Sequence, residues 1–413
     1  MSVTTASPFP SRAFGDAFGG ISRGPVLASL AALALGAGWL GSEVGPRQAA
    51  LYLLGAALGL VLYHASFGFT AAWRVFVSDR RGAGLRAQMA MLALAVLLFF
   101  PALAAGSLFG QNLTGLVAPV GVGVAFGAFI FGIGMQLGGG CASGTLFAVG
   151  GGSTRMVVTL LAFIAGSTLG AAHFHYWAQL PHISGVSMVK SLGVLPALVL
   201  NLAVFAAIAA GTAWLERRRH GRLLPTAASP NQGFAARLLR GSWPLLAGAL
   251  ALAVLNFVTL ALSGRPWGIT SAFALWGSKL DIAFGGDAEF WPFWSDPRAA
   301  AMLEAPVQAD VTTVMDIGIM AGALLAAGLA GKFRPEWRIP FRSLLAAVIG
   351  GLLMGYGARQ AYGCNIGAYF SGIASGSLHA WLWLPMAFAG SWIGTRLRPL
   401  FGLAVERTPA GSC

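Results

Sequence analysis

Ten apolar runs follow one another through the chain, near 26–42, 48–64, 87–106, 115–136, 156–177, 192–215, 243–262, 313–330, 342–358 and 380–397. Each approaches the ~20 residues that a helix needs to cross a bilayer core. In hydrocarbon the backbone must satisfy its own N–H and C=O groups, so runs of this kind fold as helices. The expected fold is an all-α polytopic membrane protein with about ten transmembrane helices. With 57% hydrophobic and only 9% charged residues among 413, too few polar side chains remain to clothe a soluble domain. Four further segments, near 66–76, 138–150, 265–277 and 362–374, are apolar but too short or too glycine-rich to cross, and read as re-entrant or interfacial pieces.

The net charge of +13 does not indicate nucleic acid, because the arginines sit in short connections between apolar runs. Arg74, Arg80, Arg81 and Arg86 follow the second run, Arg217 to Arg219, Arg222, Arg237 and Arg240 the sixth, Lys332, Arg334, Arg338 and Arg342 the eighth, and Arg396, Arg398 and Arg407 the tenth. All four clusters fall on the cytoplasmic side if both termini are cytoplasmic. The acidic connection 281–310 then lies outside. Residues 1–25 are polar, carry no cleavable leader pattern and are expected to form a flexible tail.

One stretch recurs. GIGMQLGGGCASGTLF, from Gly132 to Phe147, matches GYGARQAYGCNIGAYF, from Gly355 to Phe370, so that Cys141 falls on Cys364 and Gly140 on Gly363. FGFTAAW, from Phe67, matches WGITSAF, from Trp267, and AGSTLG, from Ala165, matches AGSWIG, from Ala389. The duplication predicts two repeats, 1–215 and 243–400, each with five spans and two short segments, joined by the basic linker 216–242 and followed by a tail, 401–413. An odd number of spans turns the second copy over. Such inverted-topology repeats place a substrate site near the bilayer midplane between the halves.

The residues at the matched breaks carry the chemistry. Gly139, Gly140 and Gly363 let the backbone leave the helix and expose amide donors that suit an anion. The neighbouring thiols of Cys141 and Cys364 are soft, weak donors that favour sulfur partners, and Ser143 and Asn365 add polar groups. A lone membrane cysteine reads first as a small packed hydrophobe; its recurrence in the second copy argues for a working thiol. Gln136, Arg359 and Gln360 stand at membrane depth, where polar groups line a path or bond across helices, and Arg359 either holds an anion or reaches to the headgroups. Gly68, Thr70, Gly268 and Thr270 form paired Gly–x–Thr turns, whose hydroxyls cap a short helix or donate to an anion, with capping the expected role. Asp316 sits near the outer end of the eighth run, and a solvated charge is expected there.

No Walker A lysine motif, CxxC pair or metal-type Cys/His spacing occurs, so neither a metal nor any other cofactor is expected. Cys413 ends a polar tail and reads as incidental. Two classes of function survive: a permease whose two thiols line a constriction, and a membrane thiol oxidoreductase or sulfurtransferase with covalent chemistry at Cys141 and Cys364.

On GGGCASGTLF, YGCNIGAYFSG, WGITSAF and the doubled AGS motif, the chain resembles the YeeE/YedE family of bacterial sulfur-compound transporters across essentially all of its transmembrane region. The resemblance implies a non-enzyme in the bacterial inner membrane that passes a small sulfur-containing anion, thiosulfate or a related species, between cysteine thiols without covalent bonds. Cys141 and Cys364 would be the thiol stations. It also implies a cytoplasmic sulfur-carrier protein as partner, a domain these 413 residues do not hold. Where the family's thiosulfate importers would place a third cysteine, this chain has Phe67-Gly68-Phe69. Two stations replace three, which leaves the choice among sulfur anions open.

Overall fold

A computed structural model describes residues 20–225 and 234–406. Arg407, Cys413 and most of the 1–25 tail lie outside the described residues. Thirteen helices position the features above: α1 Arg23–Glu43, α2 Pro46–His64, α3 Phe69–Asp79, α4 Ala83–Ala105, α5 Val122–Gly138, α6 Ala142–Gly150, α7 Thr154–Ala172, α8 Val194–His220, α9 Leu245–Ser263, α10 Thr270–Ala283, α11 Val311–Leu329, α12 Phe341–Gln360 and α13 Leu378–Leu397. The chain is an all-α polytopic membrane protein. Strand pairing among the described residues is limited to a tight hairpin at 107–112, Val120–Gly121 against His182–Ile183, and a single bridge between Ser187 and Ser377.

Nine helical stretches among the described residues are long and apolar enough to span a bilayer. The tenth predicted span is α13, of 20 residues, which falls short of that apolarity because it carries His379, Pro385 and the tryptophans Trp381, Trp383 and Trp392. It is nevertheless a core helix, packed along α5 with Trp383 and Ala387 fully buried. The fourth predicted span starts later than expected, at Val122, because residues 115–121 are taken up by a loop and a strand pairing.

Helix packing is organised by backbone contact. An added methyl carbon on Gly132 of α5 would meet the Ala387 carbonyl of α13, and one on Gly355 of α12 would meet the Phe163 carbonyl of α7. Only glycine permits such approach, which is how membrane helices associate without a hydrophobic driving force. The two glycines are sequence equivalents and perform the same task in two different helix pairs. The other close pairs are α2 with α11, α4 with α9, and α5 with α12.

Six long helices precede the 221–244 connection and four follow it, so the halves do not hold five spans each. The matched sequence blocks lie within α2 to α7 and α9 to α13. Helices α1 and α8 fall outside those blocks and are peripheral: only Ser29 and Leu40 of α1 are buried.

Candidate functional site

The glycine cluster breaks the chain as its composition predicts. Helix α5 ends at Gly138, and Gly139, at φ +94°, turns the backbone so that Cys141 becomes the N-cap of α6 with extended dihedrals. In the second copy α12 ends at Gln360, and Tyr362 at φ +57° and Gly363 at φ +146° make the turn. Cys364 then caps a π-helical turn, Asn365–Ser371. Such turns are rare and concentrate at functional sites. Both thiols therefore occupy the same structural position, at the start of a short helix after a broken long one.

Both are buried, at 1% and 0% exposure, and both are free. The Cys141 Sγ lies 3.3 Å from Ser143 Oγ, and Thr145 Oγ1 donates to the Cys141 carbonyl at 2.9 Å. The Ile366 N–H donates to Cys364 Sγ at 3.4 Å. Helix α6, which follows Cys141, packs against the π-helical turn that follows Cys364, so residues from both copies meet in one region.

A cavity of about 300 Å³ opens onto Cys364's turn, lined in part by Gly268, Thr270, Arg359, Gly363 and Gly367. Four of the predicted site residues thus share one wall. A methyl carbon on Gly268 or Gly367 would meet nothing within 4 Å, so these glycines leave free space at the cavity. Arg359 is 8% exposed, and its guanidinium sits 5.4 Å from the centre of the Phe293 ring, in the 281–310 connection.

The remaining predicted residues are arranged differently. Gln136 donates to the Thr70 carbonyl at 3.1 Å and to Ser391 Oγ at 2.6 Å, tying α5 to α3 and α13. Gln360 donates to the Gly170 carbonyl at 2.9 Å and lines a separate, smaller cavity. Both glutamines are interhelical ties. Neither threonine caps its helix, because Gly68 and Ile269 hold the N-cap positions without side-chain bonds. Thr70 Oγ1 is instead buried without a partner, as are both polar atoms of Asn365. The expected solvation of Asp316 is also overturned: it is fully buried, with neither carboxylate oxygen hydrogen-bonded, because α11 is covered there by α2 and α10.

Two residues that the motifs did not single out stand beside these. Tyr369, on the π-helical turn, stacks on Trp383 at 5.9 Å and 8°, with Trp73 and Phe69 edge-on to it. The Tyr369 hydroxyl and the Trp383 Nε1–H are buried without partners. Buried polar atoms are rarely left unpaired, so orphaned groups on and against the turn of Cys364 are a functional signal. The tyrosine was visible in YGCNIGAYFSG, but nothing in the sequence distinguished it from a packed aromatic. Among the described residues no group of three or more His, Cys, Asp or Glu side chains could hold a metal ion.

A family model described as sulphur transport matches residues 64–393. The probable transporter YedE of Escherichia coli K12 is 33% identical over 169 residues, 40% of each chain. The match thus spans well under half the length of that relative. The thiosulfate transporter TsuA of Spirochaeta thermophila is 29% identical over 361 residues, 82% of this chain and 96% of that protein. The thiosulfate transporter TsuA of Escherichia coli K12 is 25% identical over 300 residues, 67% of this chain and 74% of that protein.

Proposed function

The chain belongs to the sulphur transport family, and on that footing we propose that it is an inner-membrane permease for a small sulfur-containing anion, with thiosulfate the first candidate. The observation that carries the reading is the placement of two free, buried thiols at matched N-cap positions of short helices that pack against each other, with a cavity walled by Arg359, Gly363 and Gly367 opening onto the turn of Cys364. The guanidinium draws the anion in, glycine backbone lets it approach, and the S–H groups meet its terminal sulfur.

In this reading the two repeats are inverted copies spanning 46–172 and 245–397. The reciprocity of the packing supports it: α2 meets α11 as α9 meets α4, α5 meets α13 as α12 meets α7, and α5 meets α12 across the junction. Each unit holds four long helices, and α8 crosses once more between them, which turns the second copy over. The short helices α3, α6, α10 and the π-helical turn are then the re-entrant pieces, α10 and the π-helical turn entering from outside and α3 and α6 from the cytoplasm. The basic connections support cytoplasmic termini.

The test is uptake of labelled thiosulfate by liposomes holding the purified chain, with sulfite, sulfate and selenium analogues as competitors. Cys141→Ala and Cys364→Ala should each abolish uptake while the protein reaches the membrane in normal amounts. Undiminished uptake by both variants would overturn the role of the thiols. A stable mass addition on either cysteine after exposure to substrate would replace passage with covalent chemistry.

A further inference from the structure

Where α5 ends, three arginines converge. Arg155 of α7 donates to the Leu137 and Gly138 carbonyls at 2.8 and 2.6 Å, and Arg398, just after α13, donates to the Gln136 carbonyl at 2.5 Å. Arg74 of α3 reaches the Gln136 side chain at 3.5 Å. The last carbonyls of a helix carry about half a negative charge, far less than three guanidiniums supply. Among the described residues the only carboxylate paired with any of them is Glu406, which binds Arg74 through both oxygens, Oε2 to Nε at 2.7 Å and Oε1 to Nη2 at 2.5 Å.

Glu406 does not belong to the helix bundle. It lies beyond the last helical turn, in a stretch held by Arg398 Nε on the Ala404 carbonyl at 2.9 Å. Its side chain is 39% exposed, whereas that of Arg74 is 11% exposed. So a half-exposed carboxylate from beyond the last helix is fitted into a buried guanidinium fork beside the last turn of α5. Such a fork reads a pair of oxygens on one centre, and a carboxylate offers the same two-oxygen edge as sulfate, phosphate or the oxygen end of thiosulfate.

We infer that Arg74 and Arg398 form a second anion station, on the side of the thiols opposite the Arg359 cavity, and that Glu406 occupies it as a tethered competitor which a small oxyanion displaces. The inference rests on the transport reading for its direction: the station is where the anion arrives after the thiols, and the tethered carboxylate helps to release it. Its chemical basis does not depend on that reading. The excess of buried guanidinium over carboxylate is present whichever way the anion travels.

The first measurement needs no transport. A fluorophore on Ala404→Cys in a Cys413→Ser background, with Cys141 and Cys364 too buried to react, reports whether the segment is docked. At constant ionic strength in chloride, adding thiosulfate or inorganic phosphate should lower the anisotropy, and Glu406→Gln or Arg74→Gln should give low anisotropy from the start. A label that stays immobile through saturating thiosulfate and phosphate, or that responds equally to chloride, overturns the station. The second measurement is uptake into liposomes preloaded with unlabelled thiosulfate. Glu406→Gln should be inhibited from within at about fivefold lower concentration than the wild type, since a tether of this length holds its carboxylate at millimolar effective concentration. Glu406→Asp should resemble the wild type. Coincident inhibition curves for Glu406→Gln and the wild type overturn the competition. A wild type that does not transport at all would sink the permease reading and leave the anisotropy result standing.

Discussion

The glycine contacts make a prediction whose sign depends on position. In Gly132→Ala the new methyl carbon would lie on the Ala387 carbonyl and 2.8 Å from the Ser391 backbone nitrogen. Both obstacles are backbone, so no rotamer change relieves them and α5 must move away from α13. Overpacking of this kind costs about 1–3 kcal/mol. The movement also stretches the 2.6 Å bond from Gln136 to Ser391 Oγ, worth about 0.6 kcal/mol by the average for interhelical bonds in membranes. Alanine returns up to ~1 kcal/mol of helix preference, which leaves a net loss of about 2 kcal/mol, a factor of ~30 in the folding equilibrium. The same swap at Gly211 of α8, where a methyl carbon meets nothing within 4 Å, should be neutral or stabilising by up to ~1 kcal/mol. Thermal unfolding of the purified variants, followed by tryptophan fluorescence, separates the two. Gly355→Ala should fall with Gly132→Ala, since its methyl carbon meets the Phe163 carbonyl. If Gly132→Ala and Gly211→Ala melt together, backbone contact is not what holds these helices.

Arg359→Gln should raise the half-saturating substrate concentration about tenfold, the ~1.4 kcal/mol expected for losing one charge-assisted contact, with unchanged protein abundance; an unaltered uptake curve would remove Arg359 from the path. Tyr369→Phe removes a buried hydroxyl that has no partner, so the variant should melt no lower than the wild type, with up to ~1 kcal/mol gained; a concomitant slowing of uptake would place the hydroxyl on the path, and unchanged uptake would leave it a packing residue. Burial raises the Glu406 carboxyl, but the hydrogen bonds and charge of Arg74, with the charge of Arg398, outweigh it and hold the group below its ordinary range. A carboxyl lowered by folding stabilises the docked state above its unfolded value and loses that contribution as pH falls through the folded one. The anisotropy of the Ala404→Cys label should therefore be flat from pH 8 to the ordinary glutamate value near ~4.3 and drop only below it; release between pH 8 and 6 would contradict the pairing.

Much of the architecture was legible because lipid imposes a single solution on a long apolar run. Each of the ten runs forms a long helix, the fourth only from Val122 onward, and the four short segments appear as α3, α6, α10 and the π-helical turn. The doubled cysteine was legible for a related reason: Gly139 and Gly363 mark where the backbone must take a positive φ. What the sequence hid depends on contacts between distant segments. Asp316 reads as an outer-boundary charge by position, yet α2 and α10 bury it. Gln136 and Gln360 both precede a cysteine by a few residues, but one ties α5 to α3 and α13 and the other binds α7. Arg398 counts as one more positive charge in a basic connection until the fold brings it onto the last turn of α5. The spans were expected five to a half; α1 and α8 upset that count because apolarity reports crossing and says nothing of which repeat a helix serves.

The distribution of charge along the proposed path bears on why thiols would suit its waist. Arg359 lines the cavity that opens onto the turn of Cys364, and Arg74, Arg155 and Arg398 cluster at the end of α5. A guanidinium at the waist itself would bind the anion too tightly, because Coulomb attraction grows as the dielectric falls, and conduction requires each site to be weak enough to leave. A bare apolar waist would instead impose the full cost of desolvating a charge. Thiols fall between these extremes. Cys141 and Cys364 offer polarizable S–H donors without a formal charge, each backed by the amides of the short helix it caps, where α6 adds its own positive end. In the proposed path, with glycine at 68, a single pair of thiols would bridge the interval between Arg359 and the inner arginines. On this argument replacement of Cys364 by serine should be worse than its small change in size suggests, since a hydroxyl prefers oxygen partners and an anion presents its terminal sulfur there. Uptake by Cys364→Ser close to the wild-type rate would show that size and polarity suffice and that the sulfur atom is dispensable.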